Sequence, residues 1–245
     1  MPETRDAISG LGLTLRQSRA GHRVGLDAVL LAAAARGPAP RRIVDVGAGV
    51  GSVGLSLARH YPGAEVDLVE IDPDIAALAH ANAGANGLVA RVVVTDVLTP
   101  PARRAAGLVD GAADLVATNP PYYDAATARI SPDPARARAH ALAAPLSDWL
   151  RASLALLAPG GRFAMIHRAD ALPEIYAGLA RRLGAVAVRP VHPRADSDAI
   201  RVLVTGVKGS RAPARLLPAL VLHEADGHAT PAAAALDAGG VSLWP

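Results

Sequence analysis

An α/β architecture, with a mostly parallel sheet covered by helices on both faces, is the fold this 245-residue chain encodes. Short β-branched runs alternate with helix-length segments between residues 41 and 207, and glycines gather where a run gives way to a helix. Strands buried on both faces read as continuous apolar runs, as these do. The length suits one domain over 1–245, with an N-terminal extension at 1–40, a core at 41–207 and an appendage at 208–245.

The elements follow in order. "RRIVDV" (41–46) is a strand ending in glycines, and "GSVGLSLARHY" (51–61) has helical apolar spacing and stops at Pro62-Gly63. "AEVDLVEI" (64–71) is a second strand. "PDIAALAHANAGANG" (73–87) opens with a proline suited to a first helical turn and closes at Asn86-Gly87. "ARVVVTDV" (90–97) and "ADLVATN" (113–119) are the third and fourth strands. "LSDWLRASLALLAPGG" (146–161) is expected as a helix closed by Pro-Gly-Gly, with "RFAMIH" (162–167) as the strand after it. "ALPEIYAGLARRLGA" (171–185) is expected as a helix, followed by strands "VAVRPV" (186–191) and "AIRVLVTGV" (199–207). Asp27 ahead of "AVLLAAAAR" is expected to be a helix N-cap, with Gly37-Pro38 as the stop. Residues 124–145 read as a long loop, and the tail adds the apolar run "LLPALVL".

Composition excludes several chemistries. There are no cysteines, so disulfides, thiolate catalysis and Cys-based zinc sites are out, and a reducing cytoplasm is the expected setting. No apolar run reaches membrane-span length, since Asp27 interrupts the best one, and the N-terminus lacks a signal-peptide pattern. The net charge is +3 and nearly all the basic residues are arginine, the better partner for phosphates. "HEADGH" (223–228) spaces its histidines five apart with a glycine between, so H-E-x-x-H zinc geometry fails and no metal is expected.

The chemistry gathers at strand ends. "VDVGAGVG" (44–51) places Asp45, Gly47, Gly49 and Gly51 between a strand and a helix, where glycines allow close backbone approach by a ligand. Glu70 ends the next strand, at the spacing that brings an acidic side chain to a ribose diol, and Asp96 ends the third. A dinucleotide would want G-x-G-x-x-G, and here the third glycine is one place early. Asp45 would also repel a pyrophosphate. S-adenosyl-L-methionine carries an ammonium and no phosphate, so this acidic loop suits it, with Glu70 on the ribose and Asp96 on the adenine amine. Taken alone, Asp96 reads as a cap.

Asn119-Pro120-Pro121-Tyr122 is a stiff loop after the fourth strand. A planar amine is a weak nucleophile because its lone pair is delocalised. Acceptors on its two N–H groups, the Asn119 side-chain oxygen and the Pro120 carbonyl, localise that pair toward a methyl donor. Tyr122 would stack on the base, which must leave its own stack to react. Arg129, Arg136, Arg138 and His140, and separately Arg16, Arg19 and Arg23, are candidate phosphate contacts, with Arg194 a weaker one.

The combination resembles the amino-group methyltransferases with an (Asp/Asn)-Pro-Pro-(Tyr/Phe) signature. It is similar over most of its length to the bacterial tRNA(Val) adenine-N6 methyltransferase family. The likeness runs through Gln17, Gly21, Arg23, Gly25, Asp27 and "AVLLAA", then "VEID", "NPPYY", "ARARAH", "LLAPGGRF", "VLVTGVKG" and "LVLHEADG". It implies a Rossmann-like class I methyltransferase fold with seven strands, the last antiparallel. It also implies a place for Asp27 near the cofactor, and a tRNA anticodon-loop adenosine as substrate. An rRNA base and a protein glutamine amide remain open as alternatives within the signature. A nicotinamide oxidoreductase and a non-catalytic RNA-binding module are the readings from other classes.

Overall fold

The computed structural model describes residues 3–19, 24–121 and 144–245. A seven-stranded core is built from β3 Arg42–Val46, β4 Glu65–Glu70, β5 Arg91–Val94, β6 Ala113–Thr118, β7 Leu157–Arg168, β8 Leu183–His192 and β9 Arg201–Lys208. Its order is β8-β9-β7-β6-β3-β4-β5, and β9 runs antiparallel to both of its neighbours. The two-residue strands β10 Arg215–Leu216 and β11 Leu220–Val221 add in parallel to β8. The mostly parallel sheet, last core strand reversed, is the expected one.

Two apolar layers clothe this sheet. On one face pack α1 Leu26–Ala35, α2 Ser52–His60 and α3 Pro73–Ala85, with Ile43, Leu68 and Leu115 beneath them. On the other pack α5 Leu146–Leu156 and α6 Leu172–Leu179, over Val44, Val116 and Phe163. Side chains alternate faces along a strand, so Ile43 and Val44 fall in different layers. Between β5 and β6 lies the short helix α4 Pro100–Ala105, which the sequence reading did not anticipate.

Helix ends are set locally. The Asp72 carboxylate caps α3 by accepting the amides of Asp74 and Ile75, Pro73 fills its first turn, and Gly87 leaves it at φ 64°. Two expected helices are shorter than their apolar patterns. The first ends at Leu156, and Pro159-Gly160-Gly161 lies inside β7, whose pairing with β6 slips between Ala113 and Leu115. The second ends at Leu179, and residues 183–185 already belong to β8. In both places strand pairing outcompetes helical propensity.

The N-terminal extension holds a hairpin, β1 Glu3–Ile8 and β2 Leu13–Ser18. Asn82 of α3 and Asn86, its C-cap, bond the free backbone edge of β2: the Arg16 amide donates to Asn82 Oδ1 at 2.7 Å and the Thr14 amide to Asn86 Oδ1 at 3.0 Å, and each Nδ2 donates back to the same residue's carbonyl. The tail is also structured. α7 Pro231–Asp237 follows β11, Arg36 donates to the carbonyls of Gly239 and Val241, and the Arg162 guanidinium stacks 4.9 Å from the Trp244 ring centroid. Among the described residues no helix is long and apolar enough to cross a membrane.

Candidate active site

Neighbouring strands β3 and β6 end level with each other, Val46 opposite Thr118. Gly47 and Asn119 therefore leave the sheet side by side, at the carboxyl edge where ligands of open α/β sheets bind. The Gly47 and Ala48 amides both donate to the Val69 carbonyl at 2.9 Å, so the loop curls over the end of β4. Gly47, Gly49 and Gly51 take φ values of 72°, 56° and 87°, a region that favours glycine. A methyl group on Gly49 would meet nothing within 4 Å, whereas one on Gly51 would press on Leu55 and Leu68. The loop thus opens to a ligand at Gly49 alone of the two.

Glu70 is brought to this opening. Its Oε2 accepts the Gly49 amide at 2.9 Å, and its Oε1 accepts the amides of Ile71 and Asp72 at 2.8 and 3.0 Å. A carboxylate held on both oxygens is oriented before any ligand arrives. Asp45 lies beneath the loop. It shares the face of Ile43, is 3% exposed, and accepts the Gly54 amide of α2 on Oδ2 at 2.7 Å. Burial pushes its carboxyl up to about 7, against the lowering effect of the Gly54 bond, with Glu70 adding repulsion. Asp96 lies two residues past β5 and accepts the Leu98 amide and the Thr99 hydroxyl, the local turn that leads into α4.

Asp27 corrects the cap expectation. Gly25 occupies the N-cap of α1, and Asp27 sits inside the first turn, paired with Arg201 Nε of β9 at 3.0 Å. A glycine can take the extended cap conformation seen here at φ −130°, and the Asp27 charge is matched across the sheet edge instead.

Two residues that the motif reading passed over join the halves of the site. Thr118 is fully buried and donates its hydroxyl to the Val46 carbonyl at 2.8 Å. Trp149, in the first turns of α5, donates Nε1–H to Thr118 Oγ1 at 2.8 Å. The edge of the indole covers Gly47 so closely that a methyl there would lie 2.9 Å from the Trp149 ring. One hydroxyl and one ring therefore tie the Asn-Pro-Pro arm to the glycine loop. The signals were available: one of only two tryptophans stands on the helix after the motif, and strand alternation turns Thr118 toward it.

Beside the arm lies a cavity of about 610 Å³, lined by Pro120, Pro121, Trp149, His167, Asp170 and Glu174. Burial holds the His167 imidazole below its ordinary value, so it is neutral near pH 7. Arg168 and Asp170 form an ion pair at its rim. Tyr122, Arg23, Arg129, Arg136, Arg138 and His140 lie outside the described residues. Arg16, Arg19 and Arg194 are exposed. Among the described residues no group of acidic and histidine side chains is placed to hold a metal ion.

Residues 23–187 match the family model for the methyltransferase small domain. The chain belongs to that family. As a methyltransferase small domain it is also 31% identical over 240 residues to the Porphyromonas gingivalis tRNA1(Val) (adenine(37)-N6)-methyltransferase, covering 92% of this chain and 91% of that protein. The crystal structure of a predicted O-methyltransferase from Agrobacterium tumefaciens superimposes with a TM-score of 0.75 at 32% identity, covering 90% of this chain and 99% of that one. A Thermus thermophilus 16S rRNA N2 G1207 methyltransferase, solved with AdoMet and guanosine, shares the fold at a TM-score of 0.56 and 23% identity, covering 84% of this chain and 50% of that one. The family uses S-adenosylmethionine, and the open glycine loop with its oriented Glu70 fits that cofactor.

Proposed function

We propose that this chain methylates the exocyclic N6 of an adenine in a tRNA anticodon loop. The observation that carries the reading is the level ending of β3 and β6, which sets Asn119 against Gly47 and is locked by Thr118 and Trp149. Gly47, Gly49 and Gly51 would cradle the cofactor, Glu70 would accept from its ribose, Asp96 from its adenine amine, and Asp45 would sit under its ammonium. Bound there, S-adenosylmethionine supplies a methyl group on a sulfonium, an electrophile that needs no metal.

The chain's own residues do the rest. The Asn119 Oδ1 and the Pro120 carbonyl accept the two N6 protons, which turns the nitrogen lone pair out of conjugation. The prolines stop both acceptors from retreating as charge builds on the nitrogen, so orientation is established before the reaction. A hydroxyl nucleophile would present one proton and need a base, so this pair of acceptors favours nitrogen over the oxygen named for the solved relative. Tyr122 and the arginines of the following segment would stack on the base and hold the backbone.

Unmodified tRNA incubated with the protein should yield N6-methyladenosine in nucleoside mass spectrometry. Asn119→Ala should lower kcat by about 10²–10³-fold, the scale of losing one oriented hydrogen-bond partner in an active site. The KM for the cofactor should change little. Full activity in Asn119→Ala, or a 2′-O-methyl product, would overturn the reading. Labelling of a protein that survives RNase would move it to a glutamine amide.

A further inference from the structure

α5 and α6 lie against each other, close enough at Gly178 that a methyl there would meet Leu150 at 2.5 Å. The cavity beside Pro120 sits at the N-terminal ends of these two helices. A second cavity, of about 470 Å³, sits at their C-terminal ends and carries Arg151, Arg181, Arg182 and Lys208 around the buried Leu154. The two lie one helix length apart: α5 has 11 residues, on the order of 16 Å at about 1.5 Å per residue.

The cations at this second cavity differ in how they are engaged. Lys208, the chain's one lysine, donates to the Leu154 and Leu157 carbonyls at 2.9 and 2.6 Å and so closes the C-terminus of α5. Arg151 pairs with Asp148 one turn back. Arg181 and Arg182 are exposed, and among the described residues neither belongs to an ion pair or a side-chain hydrogen bond. Asp110, whose charge reaches Lys208, is already engaged, with both its oxygens bonded to Arg103. Arg181 also stands at φ 64°, where a glycine would sit more easily. Two exposed guanidiniums beside an apolar recess suit an anion.

We propose that this cationic cavity is a second RNA contact, gripping phosphates of the tRNA stem while the target base occupies the cavity beside Pro120. The inference rests on the tRNA reading above. A tRNA stem carries two phosphates per base pair, so a stem laid along α5 and α6 brings backbone charge to the second cavity.

The test uses full-length tRNA, an isolated anticodon stem-loop and the double variant Arg181→Gly/Arg182→Ala. Wild-type activity on tRNA tests the function itself, and failure there removes the substrate rather than this surface. Given that activity, the double variant should raise KM for full-length tRNA about 5- to 50-fold. It should also flatten the dependence of log Kd on log salt by about 1.5 units, the loss of roughly two phosphate contacts. Its kcat and its KM for the cofactor should stay near wild type, and its melting temperature should not fall, since glycine relieves the φ at 181. The isolated stem-loop, which carries the stem in question, should lose affinity as full-length tRNA does. An unchanged salt slope and KM in a folded double variant would overturn the proposal, as would a loss confined to full-length tRNA.

Discussion

The carboxyl edge of the sheet and its opposite edge solve different problems with opposite charges. Around the glycine loop at the carboxyl edge the charges are carboxylates, buried or fixed: Glu70 accepts three backbone amides and Asp45 is 3% exposed. At the far edge they are arginines standing in solvent, Arg181 and Arg182. Methyl transfer rewards atoms that do not move, because misplacement by an ångström costs rate. A grip on a phosphate backbone rewards charge and tolerates freedom, because its strength comes from counterion release. Substitutions at the first edge should therefore change kcat or cofactor affinity, and those at the second should change RNA KM and salt dependence.

The sharpest attempt to break this division is Gly47→Ala. At φ 72° an alanine is strained by about 1 kcal/mol, and its methyl would lie 2.9 Å from the Trp149 ring. Either the loop or the indole must shift, and both belong to the locked edge. Cofactor affinity, read by calorimetry with S-adenosylhomocysteine, should fall at least tenfold and kcat with it. RNA binding in the absence of cofactor should hold within about twofold. A variant that bound cofactor normally would show the loop to be less constrained than its contacts require.

A smaller effect is expected from the bridge between loop and arm. Thr118→Val keeps the shape but removes the hydroxyl bond to the Val46 carbonyl and takes the acceptor from the Trp149 indole N–H, an unmade buried bond costing about 1–3 kcal/mol. We expect kcat to drop about 10- to 100-fold with cofactor KM nearly constant. Thr118→Ser should restore most of it, because the serine hydroxyl makes both bonds. Trp149→Phe should cost about 5- to 10-fold, since the ring still covers Gly47 and only the N–H is lost. A loss of melting temperature without a change in kcat would make the bridge purely structural.

Much of this edge was legible in the sequence because its parts are local. Asp45 to Gly51, Glu70 and Asn119 to Pro121 each follow an apolar run, and parallel strands must deliver their ends to one side. Which way each residue faces was legible too, through alternation: Ile43 in the core puts Asp45 under α2, and Val116 puts Thr118 toward α5. The far cavity was not legible. It joins the end of α5, the turn after α6 and the end of β9, and only the antiparallel placement of β9 brings Lys208 to Leu157. The same holds for Asp27, whose partner Arg201 lies 174 residues away. The docking of the hairpin on Asn82 and Asn86 was also hidden, since an asparagine near a helix end reads first as a stop.

The subtlest difference between the edges is in pH. Burial raises the Asp45 carboxyl to about 7, above its unfolded value of 3.8. The fold then binds a proton that the unfolded chain has released, so this group's stabilising contribution is complete below the unfolded value and is lost as pH rises from there to about 7. Asp45→Asn keeps a carbonyl oxygen for the Gly54 amide and removes the titration. Relative to wild type, the cofactor-free variant should therefore gain melting temperature between pH 5 and pH 8, by a few degrees. An ammonium bound above Asp45 would pull its proton off, so cofactor binding to wild type near pH 7 should release protons, seen as a buffer-dependent enthalpy in calorimetry. The variant should lose that buffer dependence and some affinity. The same measurements on Arg181→Gly/Arg182→Ala should show neither change, because that surface lies at the opposite edge of the sheet from Asp45. If wild type and Asp45→Asn released the same number of protons, Asp45 would not be the group that senses the cofactor.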